Sequence, residues 1–164
     1  MIRRLLRHLF APASARLFPP DTLQRIAAAV AEGEARHTGE VCFAVESALP
    51  LRAVLAGEQA RPHAEATFAR LRVWDTAANN GVLLYLLLAD HRIEIVADRG
   101  LADRVSAEQW RGVCQLMEER LRAGEPEAAA LEGVAAASAL VERHFPRAAG
   151  DADANELPDL PHLA

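Results

Sequence analysis

Five oxygen-bearing side chains flank the strand-like segments of this chain and could meet at one end of a sheet. Two asparagines come directly before the apolar run 82–89, and an aspartate ends the alternating run 92–98, which a hairpin would bring back beside them. Oxygen ligands without nearby histidine or cysteine suit Ca²⁺ or Mg²⁺ better than zinc. The spacing therefore predicts a divalent-cation site formed by Asp75, Asn79, Asn80 and Asp98, with Glu40 joining them if the first strand runs parallel.

The same residues have a second interpretation, in which they bind nothing. Asn79-Asn80-Gly81 is a favourable turn sequence, and Asp75 can cap a turn. The sequence leaves both interpretations open. A second polar cluster is predicted at the opposite end of the strands, where open parallel sheets usually bind ligands, although an ordinary hairpin explains it as well. That cluster comprises Glu46, Ser47, Asp90, His91 and Arg92.

Residue types exclude several other chemistries. All 18 basic residues are arginine, which excludes P-loop and lysine-dependent catalysis. Cys114 and Arg120 have the spacing of a thiol phosphatase, but the segment between them is helical, acidic and free of glycine, so it cannot form a phosphate loop. The histidines show no zinc-ligand spacing. We expect no organic cofactor, two buried free thiols at Cys42 and Cys114, and tryptophans packed in the core.

The positions of apolar residues predict the elements that would hold the polar cluster. Segments 40–47, 82–89 and 92–98 are typical of strands, and 82–89 is apolar throughout, which favours a central position. Helical periodicity covers most of 21–38, 58–72, 106–123 and 131–145. A helix between the first two strands implies a parallel pair, and the third strand is an antiparallel hairpin partner. We therefore predict an α/β fold with a small, mostly parallel sheet of three or four strands between two helical layers.

The two ends of the chain differ from its middle. Residues 1–19 form a basic amphipathic segment, residues 20–146 the α/β domain, and residues 147–164 an acidic tail that we expect to be disordered. The apolar face of segment 2–10 should contact this domain's own surface, a second copy or a membrane interface. The oligomeric state does not follow from the sequence.

Charge and hydropathy limit the partners and the location. A net charge of −5 gives no basic field for nucleic acid, so we expect no nucleic-acid partner. No run reaches the length of about 18 apolar residues that a membrane span needs. Arg7 and His8 interrupt the apolar start, which argues against a secretory signal. We expect a cytoplasmic protein, and peripheral membrane contact through residues 2–10 is the alternative to packing of that segment on the domain or on a second copy.

An ordered series of short motifs resembles the TPM domain family over roughly residues 20–146. The series is Gly39-Glu40-Val41, a helix bearing Phe68, then Leu71 and Trp74, Asn80-Gly81-Val82-Leu83-Leu84, Arg92-Ile93-Glu94-Ile95 and Gly100-Leu101. The resemblance implies a small sheet covered on both faces, and a function that in different members is acid phosphatase activity, divalent-metal binding or upkeep of membrane complexes. Many relatives carry aspartate where Asn79 stands, so the resemblance implies weak cation binding here.

Two functions follow from the residues and the resemblance together. The first is a non-catalytic binding or accessory module in the upkeep of membrane-associated complexes, with a protein partner and a weakly bound divalent cation. The alternative is a metal-dependent acid phosphatase acting on phosphomonoesters. The chain lacks a recognisable nucleophile and a catalytic histidine pair, which favours the first function and leaves enzymatic activity an open question.

Overall fold

The computed structural model describes residues 1–148, 150 and 155–164. Helices cover both faces of one four-stranded sheet, which confirms the predicted fold class. The strands are β1 (Val41–Glu46), β2 (Val82–Leu87), β3 (Arg92–Ala97) and β4 (His162–Leu163). The helices are α1 (Ile2–Leu9), α2 (Ser14–Leu17), α3 (Pro20–Glu34), α4 (Leu51–Leu55), α5 (Ala60–Arg70), α6 (Arg99–Ala102), α7 (Ala107–Arg122) and α8 (Pro126–His144), and a 3₁₀ turn spans Leu88–Asp90.

The strand order is β3-β2-β1-β4, so β2 lies inside the sheet as predicted. It pairs in parallel with β1 and antiparallel with β3, and Val82 lies opposite Val41 on one side and Ala97 on the other. All six residues of β2 are buried. A continuous apolar run forms this strand because both of its faces are covered by helices.

Each face of the sheet has its own apolar layer. Alternate residues of β2, among them Leu84, pack with apolar residues of α3, α7 and α8. The intervening residues, among them Tyr85, pack with apolar residues of α4 and α5 on the other face. The helix α7 begins at the predicted capping box, in which Ser106 and Gln109 each accept a bond from the other's backbone N–H.

The described part of the acidic tail packs on the domain, whereas the sequence had suggested disorder. Strand β4 pairs in parallel with β1, with His162 opposite Ala44. Leu157 is buried in the apolar layer beneath α5. The segment is acidic on average, so its composition predicts disorder, but its few apolar residues pack on the domain and hold it in place. Residues 149 and 151–154 lie outside the described part of the chain.

The prediction of a core position is wrong for Trp74, which is 48% exposed. Helix α5 ends at Arg70, so the helical pattern that would have turned this ring inward does not reach it. The Arg72 guanidinium lies 5.9 Å from the ring centroid. Both cysteines are free, as expected; Cys42 is buried and Cys114 is half-buried.

Candidate functional site

The amino end of β2 brings several of the predicted ligands together. The Asp98 N–H donates to the Gly81 carbonyl at 2.9 Å, and the Gly100 N–H donates to the Asn79 carbonyl at 2.8 Å. A side chain at Gly100 would meet that same carbonyl oxygen, so glycine is required for this close approach. The hairpin of β2 and β3 therefore places Asn79, Asn80 and Asp98 at one edge of the sheet.

Two side-chain oxygens at this edge are buried and have no hydrogen-bond partner among the described residues. Asn80 is fully buried and donates to the Thr38 carbonyl at 3.1 Å, which leaves its Oδ1 without a partner. Asp98 caps α6 by accepting from the Arg99 N–H at 2.7 Å, which leaves its Oδ2 without a partner. Unsatisfied buried oxygens are uncommon, because burial removes their hydrogen bonds to water.

The other three predicted ligands have protein partners. Asn79 adopts a left-handed backbone with φ of 53°, and its Oδ1 accepts from Arg99 Nε at 3.0 Å. Asp75 is exposed and forms an ion pair with Arg72 at 2.6 Å. Glu40 is buried and accepts the backbone N–H groups of Glu156 and Leu157 at 3.2 and 3.1 Å. Burial raises the pKa of Glu40 above its ordinary value.

These partners limit what the edge can bind. Judged on the described residues, Asp98 supplies the one carboxylate oxygen of the predicted set that is buried and has no hydrogen-bond partner. The neighbouring Arg99 guanidinium opposes a cation. Within the described residues, no group of three or more histidine, cysteine, aspartate or glutamate side chains could hold a metal ion. The donor set fits a tight divalent-cation site poorly.

The opposite end of the sheet is covered by the N-terminal segment. Asp90 accepts from Arg4 Nε and Nη2 at 3.0 and 2.8 Å, and lies 3.2 Å from His8 Nε2. The His8 contact has the distance of an ion pair without the alignment of a hydrogen bond. Burial opposes ionisation of Asp90, but Arg4 and His8 outweigh it and lower the pKa of Asp90 below its ordinary value.

The remaining polar groups of that end are also satisfied. Ser47 Oγ accepts from the Ser14 N–H at 2.8 Å, and the Tyr85 hydroxyl donates to Glu46. Of this cluster, His91 and Arg92 stay exposed: His91 lies in a left-handed turn with φ of 49°, and Arg92 forms an ion pair with Glu94 at 3.5 Å. The carboxyl ends of the strands therefore offer no open polar pocket among the described residues, because the chain's own termini occupy them.

Neither thiol is poised to act as a nucleophile. Burial raises the pKa of Cys42 to about 12 and that of Cys114 to about 11. Both groups therefore stay protonated near neutral pH, and thiolate is the reactive form.

A buried histidine at the amino end escaped sequence reasoning. His37 is fully buried, and its Nδ1 lies 2.9 Å from the Gly39 carbonyl oxygen. Burial lowers the pKa of His37 to about 4, so the ring is neutral near neutral pH. The sequence does not predict that His37, between α3 and β1, is buried, since a single histidine is as common on the surface as in a core.

A groove of about 610 Å³ runs along the outer edge of β3 and was also missed. Helices α5 and α7 form its walls and β3 its floor. The alternation of segment 92–98 is typical of a strand near an edge, but the packing of α5 and α7 that turns this edge into a groove is a long-range feature. We call it the β3 groove, and its charged lining residues are Arg61, Arg92, Glu94, Arg111 and Glu118.

Backbone groups on this edge face away from the sheet. Because the Asp98 N–H bonds to Gly81, the alternation of antiparallel pairing turns the groups of Ile93, Ile95 and Ala97 away from β2. Arg61 Nη1 donates to the Ile95 carbonyl at 2.7 Å, which shows that this carbonyl faces the groove. The edge thus presents a row of backbone donors and acceptors in a groove that three arginines and two glutamates line.

Comparisons with known proteins are consistent with this fold. A family model described as "TPM domain" matches residues 13–140. The NMR structure of BA42 protein from the psychrophilic bacterium Bizionia argentinensis superposes with a TM-score of 0.76 at 23% sequence identity, covering 88% of this chain and 93% of that one. No curated protein matches the chain. In the described part of the chain, no helix has both the length and the apolar composition for crossing a bilayer.

Proposed function

The chain belongs to the TPM domain family, and from that premise we propose that it is a non-catalytic binding module that serves membrane-associated complexes on their cytoplasmic side. The observation that carries the proposal is the edge of β3, which pairs with no further strand in the described part of the chain and whose outward backbone groups lie in a groove between α5 and α7. The Arg61 side chain, which bonds to the Ile95 carbonyl, has to move aside when a peptide pairs with this edge. An edge of this kind binds an extended peptide by adding it to the sheet as a further strand. The bound partner is then an extended segment of another protein.

Charge in the β3 groove favours an acidic segment. Glu118 lies 2.9 Å from Arg122, and Glu94 lies 3.5 Å from Arg92, so both acids are already paired. Arg111 is exposed and has no acidic partner in the described part of the chain. An acidic peptide would meet this free guanidinium, and complementary charge contributes to both specificity and association rate.

Peptide display tests this proposal without a known partner. Peptides selected for binding to the chain should be enriched in acidic residues, and Arg111→Glu should weaken the best of them about tenfold through charge reversal. Arg143→Glu is the matched control, because Arg143 is also exposed on a helix but lies outside the groove. Failure to enrich any peptide, or equal loss with both variants, would contradict the proposal.

The alternative of a metal-dependent acid phosphatase has less support. The thiols are held protonated, and the predicted oxygen ligands mostly have protein partners. A phosphomonoester assay with Ca²⁺ or Mg²⁺ should give no turnover. Turnover that Asp98→Asn removes would support the phosphatase instead.

Weak cation binding at the amino end is a second candidate, favoured by the unpartnered Oδ atoms of Asn80 and Asp98. Two oxygens and one charge supply fewer ligands than Ca²⁺ or Mg²⁺ prefers, and water would have to complete the shell. NMR titration with Ca²⁺ should then shift the amide signals of Asn80 and Asp98, with an affinity weaker than that of dedicated calcium sites. Shifts at Asp90 and His91 alone would place the ion at the other end.

A further inference from the structure

Helix α1 carries a stripe of large apolar side chains that point into solvent. Ile2, Leu6, Leu9 and Phe10 recur at helical spacing, and their exposed fractions are 74%, 47%, 57% and 79%. The neighbouring helix α4 adds Leu51 and Leu55, which are 47% and 53% exposed. We call these six residues the α1 stripe. Exposed apolar clusters of this kind mark binding surfaces.

The orientation of α1 is the reverse of what amphipathicity alone suggests. The helix packs on the domain through Arg4 and the buried His8, which bond to Asp90 and to the Leu49 N–H. Leu5 joins the apolar layer beneath. Arg4 and His8 therefore face the molecule, whereas Leu6 and Leu9 are left outside, where they are free to meet a partner.

Basic residues lie beside the stripe. Arg3 on α1 and Arg52 on α4 are exposed, and neither has an acidic partner in the described ranges. Arg7 is more than half exposed and reaches Asp90 only at 3.4 Å. This local positive charge contrasts with the net charge of −5 of the chain. The stripe is thus apolar with a basic border.

We infer that the α1 stripe docks on an anionic lipid bilayer surface. Apolar side chains enter the interface and flanking arginines meet the headgroups, as in interfacial helices. A second copy is a poorer partner, because a two-fold interface would bring the same arginines against each other. The inference does not involve the β3 groove, so its failure and the failure of the proposed function are separate results.

Vesicle co-sedimentation tests the inference on the full chain. We expect binding to vesicles of phosphatidylglycerol and phosphatidylcholine in equal parts, and none to phosphatidylcholine alone. Leu6→Gln with Leu9→Gln should reduce binding about tenfold or more, because two exposed leucines lose their transfer into lipid. Trp74→Gln with Leu160→Gln is the matched control, since both residues are similarly exposed elsewhere, and it should bind as the wild type does.

Charge and insertion give two independent readouts. Arg3→Glu or Arg52→Glu should each weaken binding about fivefold, and raising the salt concentration should do the same. In Phe10→Trp the fluorescence emission should shift to the blue on vesicle addition, whereas Leu160→Trp should not respond. No vesicle binding, binding unaffected by the glutamine pair, or a dimer in sedimentation velocity that this pair dissolves would each overturn the inference.

Discussion

The two ends of the sheet differ in how their polar side chains are satisfied. At the carboxyl end, Asp90 is held by Arg4, Arg7 and His8, and the chain's own N-terminal segment covers it. At the amino end, Asp98 keeps a buried oxygen without a partner in the described part of the chain. The end where open sheets usually bind ligands is therefore closed in this protein, and free polar capacity is left at the other end.

The two buried histidines show the same difference. His8 at the carboxyl end lies beside a carboxylate, whereas His37 at the amino end contacts a backbone carbonyl and, among the described residues, has no charged partner within hydrogen-bond distance. The carboxyl end is therefore stabilised by charge pairing. The amino end depends more on hydrogen bonds to backbone groups, such as those of Glu40 and Asp98, and on tail packing, so mutation and pH should affect the two ends differently.

The largest effect should come from breaking the strand that joins the two ends. Leu84→Asp places an unpaired carboxylate at a fully buried position between two helical layers, at a cost of several kcal/mol. The domain should lose cooperative thermal unfolding. Leu55→Asp is the control, because Leu55 is exposed, and it should melt nearly as the wild type does. A soluble, cooperatively melting Leu84→Asp variant would show that β2 is not central.

The next largest effect should come from pH at the amino end. Burial lowers the pKa of His37 from 6.5 to about 4. Between these two pH values the histidine is protonated in the unfolded chain and neutral in the folded chain. The contribution of His37 to the free energy of unfolding is therefore fully present above pH 6.5. It falls by about 3 kcal/mol as the pH is lowered toward 4.

Urea unfolding across that window measures this loss. His37→Asn should remove most of the slope while keeping a side-chain N–H donor. His91→Asn is the control, because His91 is exposed and asparagine tolerates its left-handed backbone. If the free energy of unfolding of His37→Asn still falls with pH as steeply as that of the wild type, other groups cause the loss.

A matched pair of substitutions compares the two aspartates. Asp90→Asn should cost about 2 kcal/mol, because it removes the charge that Arg4 and His8 face, while 15% exposure of the Asp90 side chain moderates the loss. Asp98→Asn should cost well under about 1 kcal/mol, since asparagine caps a helix as well as aspartate does. Urea unfolding at neutral pH measures both.

The Asp90→Asn difference should also depend on pH in a defined direction. The pKa of Asp90 is lowered from 3.8, so its contribution is complete above that pH and is lost as the pH falls through the lower folded-state value. Equal costs for the two variants at neutral pH would contradict the proposed difference between the ends.

The smallest effect concerns cation affinity at the amino end. Asn79→Asp adds a carboxylate, but Arg99 Nε lies 3.0 Å from that position and should neutralise it. We expect Asn79→Asp alone to tighten Ca²⁺ binding a few-fold, and the double variant with Arg99→Gln to tighten it further, because charge count sets the affinity of oxygen sites. Calorimetry with Asp75→Asn as control, in which affinity should not change, measures this. If Asp75→Asn loses Ca²⁺ binding, Asp75 is a ligand of the cation after all.

The strongly patterned parts of the fold could be predicted from the sequence. The apolar run 82–89 predicted a central strand, and Ser106-x-x-Gln109 predicted a helix start, because both signals are local. The strand His162–Leu163 could not be predicted, since two residues in an acidic tail show no alternation and pair only because β1 has a free edge.

The candidate site was harder to predict because its residues depend on distant partners. Grouping Asn79, Asn80 and Asp98 followed from the hairpin, which is a local feature. Glu40 accepts hydrogen bonds from the C-terminal tail, and Asp90 forms an ion pair with the N-terminal helix. Both partners are far from these residues in the sequence. Spacing within a segment does not reveal such long-range contacts.

Backbone amide signals of β3 test the central claim most directly. A selected acidic peptide should protect the outward amides of Ile93, Ile95 and Ala97 from hydrogen exchange in the full chain. The amides of Glu94 and Val96 already face β2 and should change little. This alternation is the result that the binding-module account predicts. Uniform protection, or changes confined to Asn80 and Asp98, would contradict it.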